Sequence, residues 1–253
     1  MLIDTHCHLD FPEFDGDREA VVAEAAVAGV AYIVNVASSV IGARRALEVA
    51  ACFPGVYAVV GVHPHEADMV SEADLREISR LAEREKVVAI GETGLDYYRN
   101  LATPQNQQRI FRSQIEIALE RGLPLVVHCR QAQEDTLKIL KEYPSLRTVI
   151  HCFSGDHSFL SECLARGYYC SFTCNITYKK AGDIRSYAAA VPMERLMLET
   201  DAPYLPPEGL RGKRNVPAWV RYAAEAVASA QGAGFEQVCE ATTANARAFF
   251  GII

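Results

Sequence analysis

Positive charge is scarce in this chain. Its 253 residues carry 25 lysines and arginines against 32 acids, a formal net charge of −7 and a pI near 5.5. That deficit gives no general attraction to a phosphate backbone and excludes a histone-like clamp. It leaves room for an enzyme that meets nucleic acid through a local basic rim and bound cations, whose charge is absent from the sequence sum. Long apolar runs are missing too, and no stretch of eighteen apolar residues marks a membrane span. No basic segment followed by an apolar run opens the chain, so no secretory leader and a cytoplasmic location are expected. The eight cysteines include no CxxC pair. They are scattered through a chain too large to need disulfide staples, which predicts reduced, mostly buried thiols. Cys170 and Cys174 have the spacing of half a zinc site, but no second pair follows. No GxGxxG follows the first apolar run, so a dinucleotide site has no support. Without internal repeats, low-complexity tracts or flexible linkers, residues 1–253 read as one domain.

What the chain does have is alternation. Short apolar runs recur at Leu2–Ile3, Ala31–Val36, Val56–Val60, Val87–Ile90, Leu125–Val127, Thr148–Ile150, Tyr168–Ser171 and Arg195–Leu198. Helical periodicity separates most of them, clearest from Asp17 to Ala28, Ala43 to Cys52, Ser71 to Arg84 and Gln105 to Arg121. Asp156 to Arg166 and Asp183 to Ala190 are shorter, Pro217 to Ala230 is long, and Phe235 to Phe249 adds a tail. Gly29 and Gly122 sit just past their helices, and Pro54 and Pro144 precede the next strands. Strand alternating with helix predicts parallel units with the helices outside. Eight such units in this length predict an α/β fold of the TIM (β/α)8 barrel type, with an open doubly wound sheet as the rival.

The polar residues that follow these runs share one chemistry. The first leads to His6 and His8, the third to His63 and His65, and the fourth to Glu92 and Asp96. The fifth and sixth end at His128 and His151, and the eighth runs into Glu199 and Asp201. Only His157, in a helical segment, stands apart from the other six histidines, and it reads as a surface residue. A hydrogen-bonded strand-end residue explains any one of these histidines. A barrel, however, brings all the carboxyl ends of its strands to one mouth. Imidazoles and carboxylates left unpaired there would cost roughly several kcal/mol in desolvation unless cations compensate.

The expected ligand set is His6, His8, Glu92, His128, His151 and Asp201. Six ligands exceed the need of one four-coordinate ion and fit two divalent ions about 3.5–4 Å apart, with Glu92 as the bridge. Mixed imidazole and carboxylate donors suit Zn, Mn, Ni or Fe, and Mg less well. Cys7, Cys129 and Cys152 flank these positions, but strand alternation predicts that they face away. Such a pair of ions activates water for hydrolysis, with Asp201 and Glu92 at the chemistry and Asp201 placed to accept a proton. Glu199 either orients ligands or fills a polar position in the barrel core. Around the mouth lie candidate substrate contacts: His63, His65, Arg99, Arg130, Lys179, Arg211, Lys213 and Arg214. Arg130, two residues past His128, shares its strand face. The basic segment from Arg211 to Arg214 precedes a helix beginning at Pro217, a place where such barrels bind phosphate, although a solvated charge run explains it nearly as well. Tyr97, Tyr98, Tyr178 and Tyr204 offer stacking faces for bases or plain rim packing.

Together the segments Asp4-Thr5-His6-Cys7-His8-Leu9-Asp10, Gly61-Val62-His63-Pro64-His65, Gly91-Glu92-Thr93-Gly94-Leu95-Asp96-Tyr97, His128-Cys129-Arg130, His151-Cys152-Phe153-Ser154-Gly155 and Glu199-Thr200-Asp201-Ala202-Pro203-Tyr204-Leu205, followed by Arg211-Gly212-Lys213-Arg214-Asn215, carry a family pattern. In these motifs and their order the chain resembles the TatD-like metal-dependent deoxyribonucleases of the amidohydrolase superfamily. The resemblance implies a TIM barrel with two divalent cations, one held by His6, His8 and Asp201, the other by His128 and His151, and Glu92 bridging. It implies hydrolysis of DNA phosphodiesters, removing nucleotides from a 3′ end, with single-stranded DNA or DNA ends as partner and no obligate protein partner. It also implies that His63 and His65 touch phosphate or line the pocket. Cys129 stands where many relatives have serine. The runner-up is a metal-dependent amidohydrolase acting on a small cyclic amide, ester or lactone. A binding protein with a vestigial site would be expected to lack some of the six ligands, and none is missing. A phosphotriesterase-like enzyme often carries a carboxylated lysine where this chain has Glu92.

Overall fold

Each apolar run becomes a strand, and the strands lie side by side in chain order. A computed structural model describes residues 1–252. The strands are β1 (Leu2–Cys7), β2 (Val30–Val36), β3 (Val56–Val60), β4 (Val87–Asp96), β5 (Leu125–Arg130), β6 (Thr148–Ile150), β7 (Tyr169–Phe172) and β8 (Leu196–Leu198). They form one eight-stranded sheet in the order β1 to β8, with every adjacent pair parallel. Around it run α1 (Arg18–Val27), α2 (Val40–Cys52), α3 (Glu72–Leu81), α4 (Pro104–Arg121), α5 (Gln133–Leu140), α6 (His157–Ala165), α7 (Gly182–Ala190), α8 (Val220–Gln231) and α9 (Phe235–Phe250). This is the expected (β/α)8 barrel. Strands covered on both faces read as continuous apolar runs, which is why they stood out.

Closure between β1 and β8 is short and specific. Cys7 bridges Ala202 in parallel. The Asp201 N–H donates to the His6 carbonyl at 2.8 Å, and the His8 N–H donates to the Ala202 carbonyl at 2.7 Å. The Thr5 hydroxyl donates to the Leu198 carbonyl at 2.9 Å. The seam of the barrel therefore runs through the residues expected at the site.

Several boundaries differ from the expectation. β1 runs on to Cys7, and the fourth and fifth runs continue to Asp96 and Arg130 because they pair with each other, Gly94 opposite His128 and Asp96 opposite Arg130. His6, Glu92, Asp96 and His128 thus sit inside strands, whereas His8, His63, His65, His151, Glu199 and Asp201 follow theirs. Arg195 belongs to a 3₁₀ turn, Tyr168 precedes β7, and another 3₁₀ turn, Pro217–Trp219, leads into α8. α5 had no counterpart in the sequence reading; it is eight residues long and begins at Ala132 without a side-chain cap. α2 begins at Val40, three residues before the periodic stretch, because the Ser39 hydroxyl accepts the Gly42 N–H at 3.0 Å. A reciprocal Ser71–Asp74 capping box starts α3, and Gly122 ends α4 in the left-handed region.

Two apolar layers hold the barrel. Ile3, Val34, Val36, Val59, Val88, Val126, Val149 and Met197 form one buried cluster with Phe249 and Phe250 of α9. Arg147, just before β6, donates to the Phe249 carbonyl at 3.1 Å, so α9 closes the end at which the strands begin. The other cluster lies between strands and helices. The opposite end, where the strands finish, carries the polar groups. Among the described residues no helix is long and apolar enough to cross a membrane.

Candidate metal centre

Asp4 and His6 occupy the same side of β1, and His8 follows at its end. Asp4 lies deepest: it accepts the Thr200 N–H at 2.9 Å and the Thr200 hydroxyl at 2.6 Å. Burial pushes its carboxyl up to about 8 despite these bonds. Thr200 in turn accepts the Ala202 N–H at 3.2 Å, which helps hold Asp201 at φ +58°. A non-glycine residue in that region is strained and persists only where its surroundings enforce it. Asn215 completes the enforcement from the following loop, its amide donating to the carbonyls of Thr200 at 2.9 Å, Tyr204 at 2.7 Å and Leu205 at 3.2 Å.

Glu92 is the hub. Its Oε2 lies 3.4 Å from His6 Nε2, while its Oε1 lies 2.7 Å from His128 Nδ1, 3.5 Å from His151 Nε2 and 3.6 Å from His63 Nε2. Asp201 Oδ1 stands 3.4 Å from His8 Nε2 and 3.9 Å from His6 Nε2. Glu92 thus gathers His6, His128 and His151 around one carboxylate, and Asp201 adjoins them through His6 and His8. Close strand approach makes this possible. At Gly94, with φ +137°, a β-carbon would collide with the His128 carbonyl oxygen, so only glycine lets β4 and β5 meet there.

His8, His128 and His151 are each oriented by a group behind the ring. His8 Nδ1 is 2.7 Å from the Val36 carbonyl, which fixes the proton on Nδ1 and leaves the Nε2 lone pair facing Asp201. His128 Nε2 is 3.1 Å from Asp96 Oδ2, leaving Nδ1 toward Glu92. His151 Nδ1 is 2.8 Å from Glu199 Oε1, a charge contact rather than a well-aligned hydrogen bond. Glu199 is itself held by the Cys152 N–H at 2.8 Å and the Ser171 hydroxyl at 2.7 Å. Glu199 is thus both a buried polar group of the barrel and the group behind His151. His6 differs: it is wholly buried, its ring stacks on His151 at 3.6 Å, and neither ring nitrogen has a hydrogen-bond partner. An orphaned imidazole among carboxylates fits a metal ligand, because a cation would satisfy it. Ligand-capable groups occur as His6–His8–Glu92, His6–His151–Glu199 and His63–Glu92–His128. Soft thiolates are absent from these groups, and nitrogen with carboxylate oxygen suits a divalent ion.

Charge in the cluster is strongly redistributed. Burial opposes ionisation of Glu92, but the neighbouring His63, His151 and His6 and the His128 contact hold it well below the carboxylate range. Burial also disfavours charge on His8, yet Asp201 outweighs it and raises that histidine to about 9. For His151, Glu199 and Glu92 outweigh burial and raise it to about 10. Burial, then the adjacent His151, lowers His6. Burial lowers His63 to about 3.

The residues expected at the substrate side divide. His63 Nδ1 accepts the His65 N–H at 3.1 Å, so a neutral His63 carries its proton on Nε2 and points a donor toward Glu92. His65 turns to Asp96, Nε2 to Oδ2 at 3.0 Å. The Arg130 guanidinium lies over the Tyr98 ring at 4.0 Å. Lys179 and Lys213 are exposed. Arg211 lies over Tyr178 at 4.9 Å. Arg214 leaves the basic rim: it pairs with Asp17 at 2.6 Å, because α1 presents that carboxylate beside the loop. Tyr97 likewise turns inward, its hydroxyl donating to Asp135 at 2.8 Å. Cys7 packs in the apolar core, whereas Cys152, at φ +46°, does not face away as alternation predicted; its Sγ lies 3.8 Å from the Asn175 amide, because β6 has already ended. His157 is exposed, as expected.

Asp96 follows the fourth run in the sequence reading, which gave it no role. It receives both His65 and His128, and its own N–H donates to the Gln107 amide oxygen at 2.8 Å. Its signal was available, since Glu92, Gly94 and Asp96 share one strand face once β4 is continued. Gln107 and Gln114 of α4 were not legible at all: both are fully buried, and Gln114 ties Thr93 at 2.7 Å to the Val62 carbonyl at 2.9 Å.

Known proteins resemble this chain in sequence and fold. The sequence profile of the family described as TatD related DNase matches residues 3–251. The chain is similar to YabD of Bacillus subtilis, described as an uncharacterized metal-dependent hydrolase, at 39% identity covering 100% of both chains. It is similar at 36% identity, again over 100% of both, to a Salmonella typhimurium protein described as the 3′-5′ ssDNA/RNA exonuclease TatD. Among solved structures, YjjV, a TatD homolog from Escherichia coli K12, superposes with a TM-score of 0.95 at 32% identity, covering 100% of this chain and 98% of that one.

Proposed function

Given that this chain belongs to the TatD-related DNase family of metal-dependent hydrolases, we propose that it is a 3′-5′ exodeoxyribonuclease acting on single-stranded DNA or DNA ends with two divalent ions per chain. We read residues 1–253 as one catalytic barrel domain. His6, His8 and Asp201 would hold one ion, His128 and His151 the other, and Glu92 would bridge. The observation that carries this is the split around Glu92: one carboxylate oxygen faces His6 at 3.4 Å, the other faces His128 at 2.7 Å and His151 at 3.5 Å.

Bound divalent ions would supply the lowered pKa of an attacking water and neutralise charge on the phosphate and leaving oxygens. The chain's own groups do the rest. Asp201, kept ionised by its histidine neighbours against the effect of burial, accepts the proton of that water. His63 offers its Nε2–H to a phosphoryl oxygen, and because burial keeps it neutral it donates without titrating. Glu199 and Asp96 keep His151 and His128 turned inward. Lys179 and Lys213 meet the anionic strand at the rim, and His65, next to Asp96, lines the pocket. The 3′-5′ polarity draws support from the similarity to the Salmonella protein of that description.

A screen of 3′- and 5′-labelled single-stranded DNA with each divalent ion, run beside neutral amide and ester substrates, tests this reading. Shortening from the 3′ end is the expected result. Turnover of the amide or ester with intact DNA would favour a small-molecule amidohydrolase instead. Glu92→Ala is expected to lose most bound metal and nearly all activity, and His157→Ala neither, by metal quantification of both purified variants. Two ions retained in the Glu92 variant would remove its bridging role.

A further inference from the structure

Among the described residues seven cationic side chains lie over aromatic rings, and two of these pairs are set apart by where they stand. Arg130 over Tyr98 and Arg211 over Tyr178 both stand at the mouth, at or beyond the carboxyl ends of β5 and β4 and of β8 and β7. Among the described residues neither guanidinium has a carboxylate in ion-pair range; Lys86, Arg195 and Arg247 share that state away from the mouth, whereas Arg214 over Phe14 is paired with Asp17 and Arg221 over Phe235 with Glu225. In a chain of net charge −7, these two arginines bring positive charge without a carboxylate partner to the mouth itself.

Both pairs are held in place by their loops. Arg99 donates its N–H to Asp96 Oδ1 at 2.7 Å, and the Tyr97 N–H donates to the Arg130 carbonyl at 3.0 Å, so the loop bearing Tyr98 is pinned to β5. On the other side the Glu208 N–H donates to the Thr177 hydroxyl at 2.9 Å and the Lys179 N–H to Glu208 Oε2 at 3.1 Å, tying the loop that follows β7 to the one that follows β8. Tyr98 remains 55% exposed although Arg130 covers it, which leaves ring surface for another planar group. A stacked guanidinium keeps its N–H edge for a phosphate while the tyrosine stacks a base, and stacking of that kind tolerates any base.

We infer that Tyr98–Arg130 and Tyr178–Arg211 are two strand-holding platforms that make the enzyme prefer a single-stranded polynucleotide of several residues over any small phosphodiester; this rests on the nuclease reading above. The two lie three strand positions apart in the barrel order. At about 4.8 Å per strand that is about 14 Å of rim, more than one nucleotide spans. A strand whose 3′ end enters the metal centre therefore engages both, and a mononucleotide ester engages at most one.

The test uses the full chain with Tyr98→Ala, Tyr178→Ala, their double variant and Tyr98→Trp. Two readouts are taken: KM and kcat on a labelled ten-nucleotide single strand and on bis(p-nitrophenyl) phosphate with divalent ion, and fluorescence-anisotropy binding of the ten-mer with the metal chelated. Each alanine variant is expected to raise the ten-mer KM and its dissociation constant about tenfold, and the double variant about a hundredfold. Turnover of the small ester stays unchanged, and Tyr98→Trp keeps wild-type KM. Arg130→Gln and Arg211→Gln each flatten the salt dependence of binding by about 0.7 in log–log slope. Active wild type whose alanine variants keep their ten-mer KM overturns the platforms alone, as does an equal loss on the small ester. A wild type that cleaves no phosphodiester yet binds the ten-mer through these tyrosines overturns the nuclease reading and upholds the platforms.

Discussion

At the scale of single residues, the partners behind the histidines separate ligands from donors. His8, His128 and His151 each have one nitrogen engaged by an oxygen acceptor, so the other offers a lone pair. His63 is the reverse case: its Nδ1 already accepts a backbone N–H, and a neutral ring then presents only a donor to the site. His63→Ala is accordingly expected to retain both ions while kcat falls about 10²–10³-fold, the usual effect of deleting one donor to a developing oxyanion. Metal analysis beside kinetics checks this, and loss of an ion would make His63 a ligand. Glu199→Gln should weaken metal binding about 10–100-fold, with activity recovered at high metal concentration, because it removes the charge that orients His151. Titration with a metallochromic competitor reads the change. The six central residues were legible because each follows or ends an apolar run. The role of Asp96 was hidden because the apolar run stops at Ile90 while the strand continues to Asp96. Polar residues inside a strand leave no hydrophobic trace, and only pairing with β5 keeps that segment extended.

Among the elements, α9 and the β1–β8 seam do opposite work. α9 fills the floor with Phe249, which is 1% exposed and buried in the barrel cluster. Phe249→Ala is expected to destabilise the fold by about 3–5 kcal/mol through the cavity it leaves. Metal content per folded molecule should not change, since the floor lies at the far end from the site. Denaturant unfolding alongside metal analysis tests both halves, and intact stability would show that the floor collapses around the void. The seam instead imposes position. Two backbone bonds and the Asp4–Thr200 pair force Asp201 into its strained conformation opposite His6 and His8. Element types and order were readable from periodicity. Short α5 was not, because eight residues without a capping side chain carry too little pattern.

For the molecule as a whole, protons and metal compete for one cluster. Without metal, His8 and His151 keep their protons to about 9 and 10, above the ordinary 6.5. A histidine raised by folding contributes its stability in full below the unfolded value and loses it as pH climbs through the folded one. The metal-free protein should therefore lose melting temperature between about pH 7 and 10. A divalent ion needs those nitrogens free of protons, so its stabilising effect should grow over the same window. Thermal melts with and without chelator across this range decide the point, and parallel curves would mean that these histidines are not raised.

Composition, strand periodicity and the chemistry at the run ends were sufficient for the barrel, for the absence of a dinucleotide motif and for a His/Glu/Asp cluster at the mouth, because those properties are written locally and repeat with a regular period. Which nitrogen of each imidazole faces inward, the role of Asp96, the departure of Arg214 to Asp17 and the seating of Arg130 on Tyr98 depend on contacts between segments distant in sequence. Those contacts follow from closing the sheet, in which β1 meets β8 and β4 outruns its apolar core to reach β5. No local pattern encodes them, since they depend on neighbours that become adjacent only when the cylinder forms.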